Sequence, residues 1–294
     1  MAFDITISAK KTLLKKTPRL NVEDILKNCN LNFGSYDDYY VLEEEKIYDN
    51  TMILYNPQKF ARGIFMNLNK SAFGKVTLSI NLPTTPSEID DLFNVINEII
   101  NQYVNVSLYI EDDKYDKNIL GDLKDDLNKS CLDNLRQIAS NNPQLKLIQT
   151  LVKFPYTFSD EDREKFKNAK DLTEYEELLH KIQDVDIYYA KPILRQKPGG
   201  DVLSCYSVSN NCTSVFPVDG KNVLCRYNQD SKHTIITFFI LEEMKIVGGM
   251  YDYNDFINYM LDKGVEYFDN DHIKVDLSSQ DIYDVTNVLK PLNI

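Results

Sequence analysis

The side chains best equipped for chemistry gather in the C-terminal third: Cys205, Cys212, Cys225, His233 and His272. Thiolates with an imidazole suit zinc. Structural zinc sites, however, collect ligands two to four residues apart on tight knuckles, and gaps of six, twelve and seven residues do not do that. The expectation is therefore no metal site, with thiols lying reduced on strands. A nucleophilic pair could still be assembled in space from Cys205, Cys212 or Cys225 with His233 or His272, because such partners need not be neighbours in sequence. No local feature marks any of these thiols as activated. The acidic runs Glu111-Asp112-Asp113 and Asp269-Asn270-Asp271-His272 lack the glycine and the twelfth-position glutamate of a calcium loop, so they read as solvated loop ends. There is no phosphate-cradling glycine loop around Gly74-Lys75 or Gly220-Lys221, no Gly-x-Ser-x-Gly elbow and no His-Glu-x-x-His pair, and no cofactor is implied.

Binding chemistry is better represented. Tyrosine is plentiful, with 19 in 294 residues, and Tyr36-Asp37-Asp38-Tyr39-Tyr40 interleaves phenols with carboxylates. Tyrosine buries area while offering a hydroxyl, which enriches it at interfaces, although it is also an ordinary residue of half-buried sheets. A net charge of -12 opposes attraction to nucleic-acid phosphates and to anionic lipid, and it favours a basic protein partner. Solubility alone is the plainer explanation of the same charge. The basic stretch from Lys10 to Arg19 runs against that balance, but without interleaved aromatics it reads as a solvated turn.

These groups must be positioned by a sheet-and-helix framework whose clearest part is 75–110. Val76, Leu78, Ile80 and Leu82 alternate with polar residues, as a half-buried strand requires. In Thr85-Pro86-Ser87-Glu88, threonine can cap a helix, proline can start it, and glutamate can reach back to the cap. Ile89, Leu92, Phe93, Ile96, Ile99 and Ile100 then share one helical face, and Val104 to Ile110 alternates again, predicting a βαβ unit. The expected class is α+β: a lobe over 1–119, a mainly helical middle over 120–184, and a second lobe with a mixed sheet over 185–294. Lys197-Pro198-Gly199-Gly200 and Asp219-Gly220 predict turns, the latter a hairpin into 222–227. Ser159 with Asp162, Asp252, and Ser278 with Asp281 predict helix starts. The N-terminal MAFDITISAKK is not a secretory signal, and the longest apolar run, Ile235 to Leu241, is too short for a bilayer, so the expected compartment is the cytoplasm.

Phe60-Ala61-Arg62-Gly63-Ile64-Phe65, followed by a strand, Leu82-Pro83-Thr84-Thr85-Pro86 and the long amphipathic helix, resembles the N-terminal half of an uncharacterised bacterial family of about this length. The resemblance covers residues 1 to about 105, with Arg62-Gly63-Ile64 its most specific element. It implies a cytosolic bacterial protein and supplies no catalytic residue. The favoured expectation is an acidic binding module for a basic protein, as immunity or antitoxin proteins are, with Tyr36, Asp37, Asp38, Tyr39, Tyr40 and Arg62 as candidate binding residues. The alternative is an enzyme with a cleft between the lobes using Cys205, Cys212, His233 or His272. Oligomeric state is not legible in the sequence.

Overall fold

The computed structural model describes residues 1–9, 20–71, 74–103, 105–111, 113–141, 146–196, 202–221 and 231–292. The basic stretch 10–19, the turn 197–200, the hairpin arm 222–227 and Cys225 lie outside the described residues. The architecture is α+β, with seven α-helices and several sheets, two of them mixed, among the described residues. The chain forms two compact units: Met1–Asp37 with Val41–Asp184, and Asp38–Tyr40 with Val185–Ile294. Among the described residues no helix is long and apolar enough to cross a membrane.

The first unit is built on an eight-stranded sheet of β1 (Ala2–Ala9), β2 (Asn32–Tyr36), β3 (Leu42–Glu44), β4 (Thr51–Tyr55), β5 (Ile64–Asn67), β6 (Lys75–Asn81), β7 (Val106–Ile110) and β8 (Asp113–Tyr115), in the order β3-β2-β4-β5-β6-β1-β7-β8. Two helices, α1 (Val22–Cys29) and α2 (Pro86–Gln102), follow from their caps and apolar stripes, with Asn21 and Thr85 accepting the first free amides. The alternation read in 75–82 holds: Val76, Leu78 and Ile80 are buried together with Ile89, Leu92, Ile96 and Ile99 of α2. The predicted βαβ unit is corrected in one respect. Strands β6 and β7 do not pair with each other, because β1 lies between them and runs antiparallel to both. The unit is a split βαβ, with the chain's first strand inserted into the gap. Helices α3 (Leu120–Ser140), α4 (Asp160–Lys167) and α5 (Thr173–Gln183) complete this unit, with a two-stranded hairpin of β9 (Ile148–Thr150) and β10 (Pro155–Thr157).

The second unit holds two small sheets. One has the order β11-β14-β17, from Tyr188–Tyr189, Ser214–Pro217 and His272–Val275; the other is β12-β13-β15-β16, from Ile193–Gln196, Val202–Ser209, His233–Ile240 and Lys245–Asp252. Strands β13 and β15 are parallel, and the others of that sheet are antiparallel. Helices α6 (Tyr253–Asp262) and α7 (Ser279–Val288) start at the expected caps, Asp252 and the Ser278/Asp281 capping box. Their buried faces join Tyr206, Phe216, Phe238 and Tyr251 in one aromatic core, whose rings meet edge to face at centroid distances such as 5.6 Å for Phe238 and Phe256.

Candidate functional site

Two features of the first unit position polar side chains in opposite ways. The first is a buried cluster that joins the two motifs carrying the family resemblance. Glu88, in the first turn of α2, does not return to its own cap. Its Oε1 accepts from the Arg62 and Gly63 amides at 3.0 and 2.5 Å, and its Oε2 meets the Thr84 hydroxyl. Burial pushes the Glu88 carboxyl up, and the Thr84 and Gly63 hydrogen bonds work against that shift. Arg62 is 8% exposed, and its guanidinium donates to the Thr150 and Pro83 carbonyls, each at 3.2 Å. Around them the Tyr175 hydroxyl lies 2.7 Å from Gln149 Oε1, and Gln183 Nε2 donates to the Ala61 carbonyl at 2.9 Å. Gly63 sits at φ +85, where a Cβ would lie 2.3 Å from the Ile53 side chain, so only glycine fits the turn that Glu88 clamps. A polar cluster so thoroughly partnered fixes a loop to a helix.

The second feature is the outer edge of the sheet. Strand β3 is three residues long and is followed by a turn in which Glu45, Asp49 and Asn50 all take positive φ. Ser35 of β2, itself buried, organises that turn: its hydroxyl donates to the Lys46 carbonyl at 3.1 Å and accepts from the Tyr48 amide at 3.3 Å. Gly34 makes room for β3, since a Cβ there would lie 2.6 Å from the Glu43 carbonyl oxygen. The turn presents Ile47 and Tyr48, each 47% exposed, beside Glu43, Glu44 and Glu45. The Tyr48 hydroxyl meets the Glu43 carboxylate, and Glu44 accepts from Tyr55 at 3.4 Å. Burial, with Glu44 beside it, pushes the Tyr55 phenol up to about 12. Glu44 and Glu45 also line a 190 Å³ pocket with Leu26, Phe33 and Tyr55.

The candidate binding residues are dispersed. Tyr36 turns inward, its hydroxyl donating to the Leu151 carbonyl at 2.7 Å with the Arg62 carbonyl 3.5 Å away, and burial pushes its phenol up. Asp37 accepts from the Val41 amide at 3.0 Å across a turn. Asp38, Tyr39 and Tyr40 belong to the second unit, where the Tyr39 hydroxyl donates to the Pro192 carbonyl at 2.8 Å and Tyr40 is exposed. The sequence shows the edge at 43–48 only as a polar excursion between strands. Its signal is an apolar pair, Ile47 and Tyr48, separated by Lys46 from three consecutive glutamates.

The thiols and imidazoles of the second unit occupy separate environments. Cys205 is buried on β13 and its sulfur faces the Tyr206 carbonyl at 3.8 Å, while Cys212 receives the Ser214 hydroxyl at 3.6 Å. His233 is exposed at the start of β15. His272 is 4% exposed, held between Asp269 Oδ1 and the Tyr189 hydroxyl, each 2.8 Å from a ring nitrogen. The carboxylate can only accept, so Nδ1 donates to Asp269. Among the described residues, no imidazole is a hydrogen-bond partner of Cys205 or Cys212, and no group of three or more His, Cys, Asp or Glu could hold a metal ion.

Residues 2–285 match the family described as "Domain of unknown function (DUF4299)", and the chain belongs to that family. The family therefore spans nearly the whole chain, which corrects the expectation of an N-terminal resemblance reaching only to about residue 105. No curated protein and no solved structure matches the chain.

Proposed function

We propose that this protein is a binding module that takes a basic protein partner on the acidic edge of its eight-stranded sheet, as immunity and antitoxin proteins take theirs. The observation that carries this reading is the pairing of exposed Ile47 and Tyr48 with Glu43, Glu44 and Glu45 on a turn pinned from beneath by Ser35. An aromatic and an aliphatic anchor beside three carboxylates, with Lys46 between them, is the composition of an interface that gains affinity from apolar burial and orientation from charge. The short strand β3 leaves little backbone edge to offer, so recognition falls to side chains. The net charge of -12 adds long-range attraction for a basic partner and speeds encounter at low salt.

The test is co-purification from the native cell at low ionic strength. A stoichiometric basic partner, released as salt rises and lost when Glu43, Glu44 and Glu45 are all replaced by lysine, is the expected result. A chain that retains nothing at low salt, or a partner held equally by the lysine variant, overturns the proposal.

A further inference from the structure

A cavity lies elsewhere on the same sheet, and its charge is ordered along one axis. It measures about 590 Å³ and sits on the outer face of β6, β1 and β7, the face that alternates with Ile5, Ile7, Val76 and Leu78. Strand register places its side chains in rows. Lys75 stands opposite Ser8, Thr77 opposite Thr6, and Thr6 opposite Tyr109. The Thr6 and Thr77 hydroxyls bond at 2.9 Å. Two residues further along β1 comes Asp4, and two residues beyond Tyr109 comes Glu111; both line the same cavity. One end thus carries two carboxylates, the other an ammonium, with hydroxyls and one phenol ring between them. Among the described residues, the side chains of Asp4, Lys75 and Glu111 have no ion-pair or hydrogen-bond partner, so their charges are open to a ligand.

We propose that this cavity is a binding site for a short zwitterionic peptide with free termini, its amino end at Asp4 and Glu111 and its carboxylate at Lys75. Four residues of antiparallel strand separate the two charged rows, about 14 Å between backbones, and the lysine stem shortens that span. About three extended residues fill what is left. The volume lies within the range of small-ligand sites. The polarity selects among ligands: paired carboxylates repel a phosphate or a nucleic acid, Lys75 repels a polycation, and a neutral sugar makes no use of the separation. Thr6, Ser8 and Thr77 supply donors and acceptors for the peptide groups between the termini. This site is independent of the partner-binding edge at 43–48.

The test is calorimetric titration of the full chain with trialanine, N-acetyl-trialanine and trialanine amide. Free trialanine is expected to bind, and acetylation or amidation is expected to weaken binding about tenfold each, the effect of one charge-assisted contact. Lys75→Gln should abolish the discrimination between free acid and amide while keeping that between amine and acetyl; Asp4→Asn with Glu111→Gln should do the reverse. These residues are on the solvent face, so an unchanged melting temperature confirms that the variants fold. Equal affinity for free and blocked peptides, or no heat with trialanine at millimolar concentration, overturns the proposal.

Discussion

The Arg62–Glu88 cluster and the Glu43–Tyr48 edge belong to the same unit and draw on the same residue types, yet they do opposite work. In the cluster, the Arg62 and Gly63 amides that donate to Glu88 and the Thr150 and Pro83 carbonyls that accept from the Arg62 guanidinium all belong to the protein, and these bonds fasten the 61–63 turn to α2. At the edge, Glu44, Glu45, Ile47 and Tyr48 stay exposed on a turn that Ser35 pins from beneath, and their polar contacts include Tyr48 with Glu43, at the surface, and Tyr55 with Glu44, half-buried. The difference teaches that acidity and tyrosine content do not themselves make an interface. What matters is whether the fold has already used the polar atoms.

That contrast can be broken by substitution, and the largest effect is expected in the cluster. Arg62→Ala leaves the Thr150 and Pro83 carbonyls without donors inside the protein and should cost about 4 kcal/mol of unfolding free energy, read from the denaturant midpoint. Gly34→Ala forces a Cβ against the Glu43 carbonyl oxygen and should cost about 2 kcal/mol while displacing β3, so partner binding should weaken along with stability. Glu88→Gln probes the cluster's charge. Burial raises the folded-state carboxyl above its unfolded value of about 4.3, so the folded state holds the proton to higher pH. Stability is then complete below the unfolded value and declines as pH rises toward the raised one; glutamine, which can satisfy the same amides and Thr84, should flatten that decline. A melting temperature whose pH dependence is identical in Glu88→Gln and the wild type would show that Glu88 does not titrate in this way. The smallest stability effect belongs to the edge: replacing Glu43, Glu44 and Glu45 by lysine should change unfolding free energy by about 0.5 kcal/mol or less.

The framework was largely legible because periodicity and caps are local. The strand 75–81, the helix 86–102 with its Thr85 cap, and the capping boxes at Ser159 and Ser278 are all present as their residues predict. The insertion of β1 between β6 and β7 was not legible, since alternation fixes which face of a strand is buried and says nothing about which strand lies beside it. The same limit hid the partner of Glu88. Within the local sequence the Thr85 cap is the nearest group for its carboxylate, while the Arg62 and Gly63 amides are brought to it only by the fold. Tyrosine was ambiguous for a different reason. Tyr36 and Tyr175 bury their rings and spend their hydroxyls on carbonyl and amide oxygens, whereas Tyr48 stays half exposed, and one residue type serves both purposes equally well.

The most direct measurement is the affinity of the co-purified partner for the wild-type chain and for the triple-lysine edge variant across a range of salt concentrations, with the melting temperature of each recorded alongside. The account predicts wild-type binding that weakens steeply as salt rises, and no binding by the variant at low salt despite an unchanged melting temperature. Equal affinity for both chains, or an affinity indifferent to salt, would contradict it.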